Sequence, residues 1–394
     1  MSSDTKRDIE EGTQVYAPRG FHPVYIGDVF NDRYQVLNKI GYGVYSTVWL
    51  VRDLKPEQPG PEHEFRALKV LSAECYDSER RFFEREILTH FRTAGGALLG
   101  SRHVCQLLDD FEHHGPNGMH VCLVFELMGE TLRTFGAWFP ECEIPNYLMR
   151  RFTIQLLLAL DCSHTLNIVH TDIKPDNIFV KFKDHSRIES YLKEVPIPQQ
   201  DRSETQYTVV PSTPLRYYYF TEASEFDIAL GDWGVASWTD RHLSSLIQPV
   251  VLRSPEVLIE APWDTRTDFW NLGAVVLELF RAVRMFSGSA GRGGPYELKE
   301  HLREIVDLFG PFPRALLERG NQDLVRELFD DDGTIKDAPP MVRPALASNA
   351  FMPNLHPEVR EEFASFLRTA MMIDPEERVS AEDLLRHPWL NALQ

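Results

Sequence analysis

Cysteine is scarce in this chain. The five present (Cys75, Cys105, Cys122, Cys142 and Cys162) are scattered, with no C-x-x-C pair and no Cys/His cluster. That excludes a disulfide-stapled fold and a structural zinc site. Positive charge is also short: 41 Lys plus Arg stand against 59 Asp plus Glu, a formal charge of -18. A protein that grips a nucleic-acid backbone carries the opposite balance, so no direct nucleic-acid contact is expected. Long apolar runs are missing, and the stretch 272–280 is too short and too interrupted to span a bilayer. The opening residues, MSSDTKRDIEEGTQ, are polar and acidic, unlike a secretory signal. These absences point to a reduced, intracellular, soluble protein with no membrane partner.

What is present is ordinary globular material, 43% hydrophobic and 25% charged, which rules out a disordered chain, a collagen-like repeat or a coiled-coil rod. A length of 394 residues suits two units, or one bilobal domain with a single cleft. Residues 1–33 read as an N-terminal arm punctuated by Pro and Gly. Short strand patterns follow at 33–40, 46–52, 66–71 and 121–125, with a charged helical stretch at 78–93. Helical spacing then dominates at 146–164, 267–281, 298–308, 357–372 and 381–389. Strands first and helices afterwards imply an α+β fold, with a small β-rich lobe at 34–128 and a larger helical lobe at 129–394. Within the larger lobe, 181–226 reads as an inserted loop, mobile in its first half and ending in the aromatic patch TPLRYYYF.

Chemistry concentrates in a few strings. Gly41-Tyr42-Gly43-Val44-Tyr45-Ser46-Thr47-Val48 lies between two strand signals. Glycines there let the backbone approach a polyphosphate, because no Cβ intervenes. The strand–turn–strand context speaks against a dinucleotide site, which needs a helix after the glycines. Lys69 is a lone cation in the apolar run Ala67-Leu68-Lys69-Val70 and is placed to bridge the α- and β-phosphates of ATP. It needs an acid to hold it; Glu86 is the candidate and Glu84 the alternative. The decisive string is His170-Thr171-Asp172-Ile173-Lys174-Pro175-Asp176-Asn177. It sets a carboxylate to accept a hydroxyl proton, an ammonium to neutralise a transferring phosphoryl group, and an amide to ligate magnesium. Asp232 in Asp232-Trp233-Gly234 supplies a second hard oxygen ligand. Glu256, Asp268 and Arg378 follow in an order that makes them structural landmarks.

In this order and at these spacings the chain resembles the eukaryotic protein kinases over roughly residues 34–390. More narrowly it resembles the serine/arginine-rich protein kinases, on Tyr25-Ile26-Gly27-Asp28, Tyr45-Ser46-Thr47-Val48-Trp49-Leu50, His170-Thr171-Asp172-Ile173-Lys174-Pro175 and Leu385-Arg386-His387-Pro388-Trp389-Leu390. The resemblance implies an ATP- and Mg2+-dependent serine/threonine kinase with catalytic residues Asp172, Lys174, Asn177, Lys69 and Glu86. It implies that Ile40, Gly41, Gly43, Val48, Ala67 and Phe179 surround the nucleotide. Phe125 would close the back of the pocket, and the backbone of Glu126 and Met128 would meet the adenine edge. Metal would sit on Asn177 and Asp232, and Glu256–Arg378 would form a buried ion pair. The implied partner is a protein with a basic Arg/Ser-rich segment, docked on Glu300 and Asp307, and the implied setting is a monomer in cytoplasm and nucleus.

Three departures from the family pattern bear on this reading. Thr171 replaces the Arg that pairs with a phosphorylated activation segment in many kinases, so activity without such phosphorylation is expected. Pro249 and Val250 stand where the family has Thr and Arg, and Val283 replaces a docking Asp. A non-catalytic binding scaffold is the rival reading. A small-molecule kinase sharing the catalytic loop would lack Ser254-Pro255-Glu256 and its Arg378 partner.

Overall fold

The computed structural model describes residues 10–58, 60–77, 82–182, 184–203, 207–215, 226–290, 293–338, 345–349 and 352–390. The start of the expected helix at 78–81 and the aromatic residues of 216–220 lie outside them. The chain forms two compact units, one of Met1–Thr93, Cys105–Glu130 and Phe179–Phe226, the other of Ala94–Val104, Thr131–Ile178 and Asp227–Gln394.

The first unit is built on a six-stranded sheet of β1 (Val29–Phe30), β2 (Tyr34–Gly43), β3 (Ser46–Asp53), β4 (Phe65–Leu71), β5 (Leu107–Gly115) and β6 (Gly118–Phe125), ordered β1-β2-β3-β4-β6-β5. Neighbouring strands run antiparallel, and short links make hairpins of β2–β3 and β5–β6. β-branched and aromatic residues suit a pleated surface, and Trp49, Val51, Leu68, Val70, Cys122 and Val124 build the core. Val24 from the arm and Val210 from the insert enter that same core. The segment 181–226, expected in the larger lobe, therefore belongs to the β-rich unit. Its first half is not merely a loop: Arg187–Glu194 is helical, with Ile188 and Tyr191 buried and Asn38 donating to the Tyr191 hydroxyl at 2.8 Å.

The second unit is mainly helical. Helix Thr267–Arg281 is buried along almost its whole length, as its apolar run WNLGAVVLELF requires. Gly273 permits a close approach there, since a Cβ would fall 2.5 Å from Met371. Trp389 closes the far end against Phe363 and Phe366, ring centroids 4.6 and 4.9 Å away. The segment 94–104 joins this unit: Val104 bridges to Leu230, and a ring nitrogen of His103 lies 3.1 Å from the Ile228 carbonyl. Among the described residues no helix is long and apolar enough to cross a membrane.

Candidate active site

The Gly-rich segment is a true hairpin. Gly41 pairs with Val48 and Gly43 with Ser46, leaving Val44 at the tip, 80% exposed. Neither glycine adopts a positive φ, so their role is not backbone freedom. A Cβ at Gly41 or Gly43 would meet nothing nearer than 4.0 and 3.7 Å. The space is open on the chain's own account, which fits a backbone cradle for phosphates.

Lys69 on β4 is paired in register with Val48 and Leu123. Its ammonium donates to both oxygens of Glu84, at 2.7 and 2.9 Å. This corrects the expectation for Glu86, which instead accepts from the Tyr76 hydroxyl at 3.2 Å and is exposed. The reason is helical phase. The helix Glu84–Ala94 buries Glu84, Ile87, Leu88 and Phe91, a single stripe at i, i+3, i+4 and i+7. Glu86 lies two residues, about 200°, around the axis from Glu84.

The expected adenine contacts all fall in this first unit. Ala67 pairs with Phe125 across β4 and β6, while Met128 and Phe179 lie on the short strands Met128–Thr131 and Ile178–Lys181, which are neighbours. Ile40 and Val48 are half-buried beside fully buried Lys39 and Trp49. The Glu126 N–H is spent on the Gln106 carbonyl at 3.3 Å, so only its carbonyl can meet an adenine amino group. Its carboxylate takes Lys181 at 3.3 Å.

In the second unit, the catalytic string wraps around one buried carboxylate. Asp268 accepts from the backbone N–H of His170 (2.9 Å) and of Thr171 (3.0 Å), with His164 Nε2 also 3.0 Å away. Thr171 sits at φ 66, a strained conformation for a β-branched residue that the surrounding bonds must enforce. Its hydroxyl donates to the Val235 carbonyl at 2.8 Å. The N–H of Asp172 points at His170 Nδ1 (3.2 Å), so Nδ1 accepts and the proton resides on Nε2, which donates to the Gly231 carbonyl at 3.0 Å.

Asp172 is thereby held and polarised. Its Oδ2 accepts from Lys174 Nζ at 2.7 Å and Asn177 Nδ2 at 2.9 Å. Its Oδ1 has no hydrogen bond among the described residues, which leaves an acceptor for an incoming hydroxyl proton. The Asn177 amide also donates to the Asp172 carbonyl at 2.8 Å, so its own Oδ1 faces away as a metal donor. Gly231 N–H donates to the Asn177 carbonyl at 2.9 Å, which brings Asp232, exposed and at φ 59, next to it in the chain. An amide oxygen and a carboxylate are hard donors of the kind magnesium takes, with the remaining sites left to phosphate and water.

Glu256 and Arg378 form the expected pair, fork to fork at 2.7 and 2.7 Å, with both side chains 0% exposed. Between them and Asp232, Gln248 does a job that the sequence reading missed. Its amide donates to the Thr267 hydroxyl and carbonyl at 2.8 and 3.1 Å and accepts from Ser254 N–H at 2.8 Å. Ser237 is buried and accepts from Leu243 N–H. The docking carboxylates are less available than expected. Glu300 is 13% exposed and paired with Arg303 at 2.5 Å, and Asp307 is half-buried. Another residue not foreseen, Glu304, is buried and accepts from Ser287 and Gly288 N–H at 2.7 and 2.9 Å.

Comparison with known proteins agrees with this geometry. The protein kinase domain family matches residues 34–200 and 219–390. A serine/threonine protein kinase of Aspergillus fumigatus is 33% identical over 392 residues, covering 99% of this chain and 92% of that protein. The serine/threonine-protein kinase SRPK of Physarum polycephalum is 29% identical over 411 residues, with 99% and 93% covered. SRSF protein kinase 3 of Mus musculus is 25% identical over 520 residues, with 97% and 90% covered. Order of elements and relatives agree, and the chain belongs to the protein kinase family as a serine/threonine protein kinase.

Proposed function

We propose that the chain transfers the γ-phosphoryl group of ATP to serine hydroxyls in basic, Arg/Ser-rich protein segments. The observation that carries the reaction is the free Oδ1 of an Asp172 whose other oxygen is fixed by Lys174 and Asn177. Asp172 takes the proton as the serine oxygen attacks the γ-phosphorus; the bond to the bridging oxygen breaks, and ADP leaves. Lys174 offsets charge gathering on the transferred group, and Lys69, fixed by Glu84, holds the non-reacting phosphates. Asn177 and Asp232 would hold magnesium, whose charge would neutralise phosphate oxygens.

The preference for basic segments is supported by the formal charge of -18 and by two of the relatives, named SRPK and SRSF protein kinase 3. Such substrates would place the protein in cytoplasm and nucleus. A positional-scanning peptide assay with ATP and magnesium tests this. Arg beside the acceptor Ser should be favoured, and Asp172→Ala should cost on the order of 10²–10⁴-fold in turnover with ADP binding retained. Equal use of all flanking residues would leave a general serine/threonine kinase; nucleotide binding without any turnover would return the scaffold reading.

A further inference from the structure

Lys39 in β2 is fully buried, an expensive position for an ammonium unless each N–H is met. It is met by three separate segments of the first unit. Glu10 accepts at 3.0 Å and Glu11 at 2.5 and 2.7 Å, both from the N-terminal arm. The Val210 carbonyl of the insert accepts at 3.1 Å, and the ring of Tyr42, in the Gly-rich hairpin, lies 5.1 Å from the ammonium. Lys39 immediately precedes Ile40 and Gly41, so whatever holds Lys39 also holds the root of that hairpin.

The clasp closes through one residue. Ser212 donates its N–H and its Oγ–H to the two oxygens of Glu10, at 2.6 and 3.0 Å. The next residue, Thr213, donates its N–H to the Lys39 carbonyl at 2.9 Å. Alongside, the Tyr16 hydroxyl donates to Glu11, and the Tyr16 ring packs on Tyr207 at 4.3 Å. Burial opposes ionisation of Glu10, but the bonds from Ser212 and the charge of Lys39 outweigh it and hold its carboxyl below the usual range. Ser212 itself is half-buried, next to exposed Pro211, in a stretch (207–215) without helix or strand. That backbone is irregular, with Ser212 lying between the buried Val210 and the exposed Pro214.

We propose that Ser212 is a phosphorylation site that controls this clasp, so that a phosphoryl group there expels the arm and loosens the Gly-rich hairpin. A serine/threonine kinase acting in trans forms the Oγ–P bond as the β–γ anhydride of ATP breaks; ADP departs, and the hydroxyl proton passes to that kinase's base. The product loses the hydroxyl donor to Glu10, keeps only the Ser212 N–H, and gains about -1.5 to -2 charges beside two carboxylates, a repulsion that the one N–H does not offset. Lys39 carries one positive charge and cannot balance all of them. It exchanges Glu10 for the phosphate, and the arm is released.

The full chain with phosphoserine installed at position 212 tests this, alongside Ser212→Asp and Ser212→Ala, by hydrogen exchange and by ADP titration calorimetry. Amides of residues 10–16 should exchange at least about 10-fold faster in the phosphorylated and Asp forms. The ADP dissociation constant should rise about 3- to 10-fold, with kcat at saturating ATP held within about 2-fold. Ser212→Ala should stay near the parent, because the Ser212 N–H still holds Glu10. Glu10→Gln combined with Glu11→Gln removes the clasp from the other side and should reproduce the phosphorylated form. An arm still protected in the phosphorylated chain overturns the proposal. So does Ser212→Ala matching Ser212→Asp, or a double Gln variant with unchanged ADP affinity.

Discussion

The two units each carry a cation–carboxylate pair that matters to a kinase, and the pairs are built differently. Arg378 is sealed. Its Nε donates to Met372, Nη1 to Glu256 and Arg266, and Nη2 to Glu256 and Ile373, so all the donors of a guanidinium are consumed. Lys69 keeps 14% of its side chain exposed, against 1% for Glu84. An ammonium is a point charge with rotatable donors, able to share itself between a carboxylate and a phosphate, whereas a rigid fork is not. Depth and valence separate the sealed pair from the pair proposed to meet phosphate.

The sharpest way to break that contrast is to remove one cation from the sealed pair. Arg378→Ala leaves Glu256 buried and unpaired and should cost about 3–5 kcal/mol of stability in urea unfolding. Glu256→Leu combined with Arg378→Met should recover most of the loss, because the pair's own desolvation offsets much of its attraction. A single variant as stable as the parent would show that the lock does not bear on the fold.

Next in size is the Lys69–Glu84 pair. Glu84→Gln should barely move the melting temperature yet lower kcat/KM by about 10²-fold, since the Lys69 ammonium loses its position. Glu86→Gln should leave both unchanged. If the Glu86 variant were the inactive one, the ion pair described for Glu84 would not be the working arrangement.

The choice between these two acids shows where the sequence was legible and where it was not. Glu86 fits a kinase template by eye, but the burial stripe of Ile87, Leu88 and Phe91 selects Glu84, and helical phase could have found it. The catalytic loop was readable because its chemistry needs residues close in sequence: Asp172, Lys174 and Asn177 contact one another within a short segment. Asp268 was marked only as a landmark, since its acceptance of His170 and Thr171 N–H spans about a hundred positions. Lys39 was invisible for the same reason. Its partners come from the arm and from position 210, and no local periodicity links them. Composition likewise marked 181–226 as a loop, while a few long-range contacts (Val210 in the core, Tyr191 on Asn38) decided its place.

A third contrast concerns acid. In the first unit His22 packs against His113 and His120, ring centroids 4.5 and 5.0 Å away. Burial first, then the two neighbouring rings, pushes the His22 pKa down to about 3. Burial lowers His113 and His120 too, though Asp28 partly restores the first and the Leu71 carbonyl the second. An unfolded His22 takes its proton near 6.5 while the folded one refuses it until about 3. Stability therefore falls as pH drops through that window, by up to about 1.4 kcal/mol per pH unit for one proton. His22→Leu should flatten the slope of melting temperature against pH between those limits; an unchanged slope would move the acid sensitivity elsewhere.

The smallest expected effect tests whether charge alone guides substrate. Glu300 and Asp307 lie seven residues, about two turns, apart on one helix, but the Glu300 carboxylate is already paired with Arg303. Ion pairs near the surface contribute roughly 0–1 kcal/mol each, so no single contact can set selectivity. Glu300→Lys with Asp307→Lys should raise KM for an Arg/Ser-repeat peptide by at most about fivefold and leave a neutral Ser peptide unaffected. Arg303→Ala should act in the opposite direction, because it frees Glu300 for the peptide. Both shifts should shrink as added salt shortens the Debye length from about 10 Å to about 3 Å. Equal changes for the two peptides would mean that the substitutions disturb the helix and not the docking. If Arg303→Ala raised KM for the basic peptide, the Glu300–Arg303 pair would belong with the sealed lock of Arg378 and not with the exchangeable contact of Lys69.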